Sequence, residues 1–177
     1  AVGRAAEWFG GMGATARGLD VLTRRDAEDD DLVAQLRAAR FIYLADGSPL
    51  HLRSVLKGSA AFAAIVHAYE RGAVVAASGA AATLLCDPMV DPRGGAFTVG
   101  LGLVTGLAVF PYHGTTADHI RERSLALLAP DALLVGIDEG SAILRTGEGS
   151  WETVGDGVTV YRRDAAARTL APGATLA

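Results

Sequence analysis

The chain has little of what would mark a secreted, membrane-bound or cofactor-dependent protein. Cys86 is its single cysteine, which excludes an internal disulfide and a cysteine-ligated metal cluster and favours a cytoplasmic location. No apolar run reaches the roughly 20 residues that a membrane-spanning helix needs, and no signal peptide is recognisable. The glycines at 100–106 lack the strand-turn-helix context of a nucleotide-binding loop. The sequence therefore predicts no cofactor.

The charge content is also low. Only 20% of the 177 residues are charged and the formal net charge is -4, which argues against a sequence-independent grip on nucleic acid or on an anionic membrane. Half of the residues are hydrophobic, so the chain is long and apolar enough to bury a core. We expect a single folded domain over residues 1–177.

Short apolar runs alternate with amphipathic segments along the chain. This alternation predicts an α/β protein, a three-layer sandwich around a mostly parallel sheet, with antiparallel hairpins at 141–163 and a mobile last dozen residues. Strands are expected at 18–22, 41–45, 73–77, 96–104, 107–113 and 132–139, and helices at 2–13, 26–40, 60–71 and 116–129.

The stretch 72–87 has the pattern of a nucleophile elbow. An apolar strand runs into Ser78 and Gly79, and small and apolar residues follow that can continue as a helix. Such a turn exposes a serine hydroxyl and points the first helical N–H groups at the oxygen that becomes negative. The usual G-x-S-x-G nevertheless reads Ala76-Ala77-Ser78-Gly79-Ala80. An ordinary helix start with Ser78 as its N-cap fits the same letters.

Two further strand ends carry residues that such a serine requires. His113 follows the apolar run at 107–112 and Glu139 follows the run at 132–138. A serine needs a base, and a carboxylate orients that base, so Ser78, His113 and Glu139 are the candidate triad. The N–H groups of Gly47 and Gly79 are the candidate oxyanion donors. Each of these residues also has a structural explanation, such as a turn histidine or a capping carboxylate.

At these residues the chain resembles the serine peptidases that include aspartyl dipeptidase and cyanophycinase. GIDEGSAIL at 136–144 is the closest match, His113 the next, LADGSPLHL at 44–52 matches the family's glycine-rich turn, and the elbow matches least. The resemblance covers most of residues 18–160 and finds no counterpart of the family's first strand. It implies a fold related to class I glutamine amidotransferases and cleavage of short peptides or isopeptides by the Ser-His-Glu triad.

The elbow allows a second alignment. When the spacing to Asp87 is kept, Ser78 falls one residue early and Gly79 takes the nucleophile position. In that alignment the catalytic serine is absent, and the chain is a pseudoenzyme that keeps the fold for binding or assembly. The sequence leaves both alternatives open.

The sequence also contains a candidate substrate ligand, a candidate metal cluster and a possible dimer edge. Arg53, early in the helix after the Gly47 turn, is a candidate ligand for a substrate carboxylate, although an arginine packed along its helix fits equally. His113, His119 and Glu122 lack a convincing third metal ligand, and Cys86 lies inside a predicted helix, so no metal is expected. A missing first strand would leave a sheet edge unpaired, which favours a homodimer.

Overall fold

The computed structural model describes residues 2–147 and 149–176. The chain divides into two compact units, residues 1–84 and 85–177, and each is described by itself. The α/β prediction is confirmed in a mixed form, with helices and several small sheets. No helix among the described residues has the length and apolar character needed to cross a membrane.

The first unit contains most of the helices. Asp29 starts the second helix by accepting hydrogen bonds from the N–H groups of Asp31 and Leu32. Ser48 caps the next helix, whose first residue is Pro49. The elements are α1 (Val2–Gly11), a 3-10 turn (Asp26–Glu28), α2 (Asp30–Ala38), β1 (Phe41–Leu44), α3 (Pro49–Leu56), α4 (Ala60–Glu70), β2 (Val74–Ala77) and α5 (Ala80–Leu85), of which Leu85 is the first residue of the second unit.

Strands β1 and β2 form a parallel pair with Tyr43 opposite Ala76. Because the carboxyl ends of parallel strands meet at one edge, the pair brings the turn after β1 next to the turn after β2. The strand predicted at 18–22 is absent: these residues have no regular structure, and Leu22 is exposed. The run 18–22 is short, and the side chain of Leu22 is not buried against a sheet. Among the described residues, β1 therefore pairs with β2 only.

The second unit is richer in strands. The expected strand at 96–104 is reduced to two short pieces, and the expected helix at 116–129 is shorter by a few residues. The elements are β3 (Cys86–Asp87), β4 (Met89–Val90), β5 (Phe97–Thr98), β6 (Val104–Thr105), β7 (Leu107–Phe110), α6 (Asp118–Leu127), β8 (Leu133–Ile137), β9 (Ala142–Arg145), β10 (Trp151–Val154), β11 (Val158–Tyr161) and β12 (Arg168–Leu170).

A four-stranded sheet in the order β12-β11-β8-β7 lies at the centre of this unit. Strands β7 and β8 are parallel, whereas β11 pairs antiparallel with β8 and with β12. A mostly parallel central sheet is not evident among the described strands, but the predicted hairpins are present, since β9 and β10 also pair antiparallel. The sheet packs on a buried cluster that includes Phe110, Leu128 and Leu134.

The prediction of a mobile tail is wrong for the described residues. Residues 168–170 form β12, and the chain beyond them pairs with β10: the N–H of Leu176 donates to the carbonyl of Trp151 (2.9 Å). The hydroxyl of Thr153, 2% exposed, donates to the carbonyl of Ala171 (2.7 Å). These bonds satisfy backbone groups that a free tail would leave to water. The prediction of one domain stays untested.

Candidate active site

The turn between β2 and α5 has the shape expected of an elbow. Ser78 and Gly79 separate the last strand residue, Ala77, from the first helical residue, Ala80. Gly79 has a φ of +56°, a left-handed conformation that costs a residue with a Cβ about 1–2 kcal/mol. In a nucleophile elbow the nucleophile lies at the strained point of the turn. The residue in that conformation here is Gly79, one position after the predicted Ser78.

Ser78 has its own partner within the first unit. Its hydroxyl shares a hydrogen bond of 2.5 Å with the phenol of Tyr43, which lies on β1. Phe9 of α1 packs edge-on against the same tyrosine ring. The contact ties the elbow to the neighbouring strand, which is a structural use of the serine.

The carboxylate of Asp46 lies against the turn. Its Oδ1 accepts hydrogen bonds from the N–H of Gly47 (2.9 Å) and from the N–H of Ala80 (2.8 Å). A Cβ added to Gly79 would come within 2.5 Å of the Asp46 Cγ. The side chain therefore takes up the space where a nucleophile at position 79 would project.

These two N–H groups correspond to the donors of an oxyanion hole. In an elbow the hole is built from the N–H of the residue after the nucleophile and an N–H from another loop. The residue after Gly79 is Ala80, and its N–H donates to Asp46, whereas the sequence predicted Gly79 as the second donor. Gly47 is the predicted first donor, and it donates to Asp46.

His113 lies in the second unit, just beyond β7. Its Nδ1 is 2.7 Å from Asp138 Oδ1, and its Nε2 is 2.7 Å from the Tyr161 hydroxyl. The side chain is only 9% exposed. The ring lies over Gly136 of β8, where an added Cβ would come within 2.2 Å of a ring carbon. A glycine at 136 is thus required for this position of the imidazole.

The carboxylate that orients His113 is Asp138, whereas the sequence pointed to Glu139. Strand β8 ends at Ile137, and the N–H of Asp138 donates to the carbonyl of Gly157 (2.8 Å), which fixes the residue beside the ring. Glu139 comes one residue later in the turn, and its side chain is exposed. The two acids of Gly-Ile-Asp-Glu are adjacent in sequence, so the motif alone did not separate them.

Tyr161 completes the contacts of the imidazole. Burial raises the pKa of its phenol, and the nearby Asp138 and Asp118 carboxylates act in the same direction against the opposing effect of Arg121. The phenol therefore stays protonated at neutral pH and can donate to Nε2, while Nδ1–H donates to Asp138. Tyr161 lies in the C-terminal hairpin, outside any motif, so no sequence pattern pointed to it.

Arg53 and Cys86 are the remaining candidates. Arg53 is in the middle of α3 and half-buried. Burial raises the pKa of the Cys86 thiol to about 12, which keeps it protonated and unsuited to nucleophilic attack. Over residues 2–147 and 149–176, no group of three His, Cys, Asp or Glu side chains has the arrangement to hold a metal ion.

Comparisons with known proteins point to one family. No family model matches the chain. The cyanophycinases of Synechococcus elongatus and Thermosynechococcus vestitus are each 28% identical over 156 residues, which is 80% of this chain and 48% of the relative. The chain thus spans about half the length of these curated relatives.

Solved structures agree with the sequence relatives. A peptidase from an acI-B1 actinobacterium superposes with a TM-score of 0.82 at 26% identity, over 97% of this chain and 72% of that one. A candidate peptidase E protein from Listeria monocytogenes EGD-e has a TM-score of 0.61 at 15% identity, over 96% of this chain and 78% of the other, and this shows the shared fold alone. The predicted resemblance is therefore confirmed: this chain is similar to the cyanophycinases in sequence and to an actinobacterial peptidase in structure.

Proposed function

We propose that this chain is a non-hydrolytic homologue of these peptidases, which keeps the fold for binding or assembly. The observation that carries the proposal is the glycine at the strained point of the elbow, where Gly79 has a φ of +56°. A glycine offers no oxygen or sulfur to attack a carbonyl.

The surroundings of Gly79 support the same conclusion. The two N–H groups that would hold an oxyanion both donate to Asp46. A second negative charge beside this carboxylate would be repelled by it. The hydroxyl of Ser78, the nearest serine in sequence, is held by Tyr43. In this proposal the elbow therefore lacks both a nucleophile and free N–H donors for an oxyanion.

A serine-directed fluorophosphonate probe tests this proposal. We expect no labelling of the folded protein, because the probe needs an activated serine hydroxyl. The Ser78→Ala variant is the matched control, and circular dichroism of both proteins verifies that they are folded. Stoichiometric labelling that disappears in Ser78→Ala would refute the proposal and establish Ser78 as a nucleophile.

The second candidate function is hydrolysis of short peptides or isopeptides, with Ser78 as nucleophile and His113 as base. The pairing of His113 with Asp138 at 2.7 Å supports it, since a carboxylate-oriented imidazole is the base that serine hydrolases use. In this candidate Asp138 takes the orienting role predicted for Glu139.

Arg53 as a ligand for an acidic substrate stays a prediction. Weaker binding of acidic but not of neutral dipeptides by the Arg53→Ala variant would support it.

We also propose an arrangement of layers and a cellular location for the protein. A three-layer arrangement like that of class I glutamine amidotransferases is supported by the TM-score of 0.82 to a peptidase structure. A cytoplasmic location is supported by the single, buried cysteine. Export of the protein in a cell-fractionation experiment would contradict the second of these.

A homodimer is proposed on the exposed apolar side chains of the first unit. Trp8 is 64% exposed, and Phe41 and Val74, which are opposite each other on β1 and β2, are also exposed. Apolar side chains in such numbers at a surface are typical of an interaction site. We expect size-exclusion chromatography with light scattering to give twice the 18.2 kDa mass of the chain. A monomer that persists at high protein concentration would contradict this.

A further inference from the structure

A small groove in the second unit carries two arginines. It lies on the β11–β12 hairpin and has a volume of about 70 Å³. Its lining residues are Val160, Arg162, Ala165, Ala166, Arg168, Leu170 and Thr175. None of them belongs to the elbow or to the contacts of His113.

The pairing of the hairpin explains why both arginines face the groove. Val160 is opposite Arg168 across the antiparallel pair, and opposite residues point to the same face. Arg162 comes directly after the last residue of β11 and also lines the groove. Val160, only 8% exposed, adds an apolar side chain to the lining.

The third wall is held in place by the C-terminal segment. Thr175 forms a bridge with Glu152 of β10. The N–H of Gly173 donates to the carbonyl of Thr153 (2.8 Å), and the N–H of Thr153 donates to the carbonyl of Ala174 (3.0 Å). A groove with a fixed wall needs little reordering when a ligand enters.

The charges of the groove are unbalanced. No carboxylate is among its lining residues. Within residues 2–147 and 149–176, the guanidinium groups of Arg162 and Arg168 have no recorded hydrogen-bond or ion-pair partner, whereas neighbouring Arg163 donates to the carbonyl of Ala126 (2.5 Å). The nearest acid along the chain, Asp164, is exposed at the hairpin turn. Two positive charges thus share one cavity in a protein of net charge -4.

We propose that this groove binds a phosphate group. Each guanidinium presents a planar fork of N–H donors that matches a phosphate oxygen pair, and two forks suit a doubly charged anion better than a single carboxylate. The alanines at 165 and 166 leave room for the ligand, and the hydroxyl of Thr175 adds a donor. Free phosphate and the phosphate of a phosphoserine side chain share this chemistry.

Titration of the full chain with inorganic phosphate, followed through the arginine Nε–Hε signals and the backbone amide signals of Ala165 and Ala166 in NMR spectra, tests the proposal. We expect saturable shifts of the signals of Arg162 and Arg168, and none with acetate at equal ionic strength. Each single change to alanine should weaken binding by roughly tenfold or more, and the double variant should abolish it. Arg37→Ala, an exposed arginine in the other unit, is the matched control and should bind as the unmodified protein does.

The outcomes separate the two sources of phosphate. Tighter binding of a phosphoserine peptide than of inorganic phosphate assigns the groove to a phosphorylated partner, and equal or weaker binding assigns it to free phosphate. Shifts of the same size with acetate, or unchanged phosphate binding in the double variant, would overturn the proposal. Both arginines are exposed, so their removal should not prevent folding.

Discussion

Replacing Gly136 by alanine should displace His113 and destabilise the second unit by about 3 kcal/mol. The added methyl group would come within 2.2 Å of the imidazole. The ring cannot move aside cheaply, because Asp138 and Tyr161 each hold one of its nitrogens at 2.7 Å. Overpacking and the loss of two hydrogen bonds therefore both lower the free energy of unfolding.

Urea unfolding and the ¹⁵N signals of the imidazole measure the two parts of this effect. Gly147→Ala is the matched control, because an added Cβ there would meet nothing within 4 Å. In a His113→Ala background the cost of Gly136→Ala should largely vanish, since the clash and the hydrogen bonds are already gone. Equal costs of Gly136→Ala in both backgrounds would contradict the contact.

The sequence predicted the strands and helices that carry the candidate residues better than it predicted the residues' partners. The run 41–45 becomes β1 and the run 73–77 becomes β2, because short apolar segments bounded by turn residues have few other solutions. His113 follows β7 as expected. These features depend on local pattern alone.

Contacts between distant parts of the chain set what the sequence missed. Tyr161 reaches His113 across 48 positions, and Asp46 reaches Ala80 across 34. No periodicity or short motif reports such pairs. The choice between Asp138 and Glu139 depends on where β8 ends, and strand ends are the least certain part of a sequence-based prediction. A sheet register is needed before either carboxylate can be assigned.

The sequence of the elbow, with Ser78 directly before Gly79, is ambiguous. A serine directly before the turn and a glycine in it satisfy both an active and an inactive alignment. The left-handed conformation falls on Gly79, which supports the inactive alignment that we propose. The carboxylate of Asp46 lies beside it, so a side chain at position 79 would have to displace Asp46.

The contact between Gly79 and Asp46 predicts that substitutions at these two positions change the free energy of unfolding in a strongly non-additive way. Gly79→Ser should lower the free energy of unfolding by about 3 kcal/mol, of which roughly 1–2 kcal/mol is the cost of a Cβ in the left-handed region and the remainder is the collision with Asp46. In an Asp46→Gly background the collision is absent, so Gly79→Ser should cost only the backbone part. Asp46→Gly by itself should cost about 1 kcal/mol, because the N–H of Ala80 loses its acceptor.

Gly58→Ser separates the backbone cost from the collision. Gly58 lies in the same unit with a φ of +69°, and an added Cβ there would meet nothing within 4 Å. Its replacement should cost about 1–2 kcal/mol whether or not Asp46 is present. Denaturant unfolding of the two double-mutant cycles measures both coupling energies. Additive costs for Gly79→Ser and Asp46→Gly, as for the Gly58 cycle, would contradict the prediction that the carboxylate occupies the space of the nucleophile.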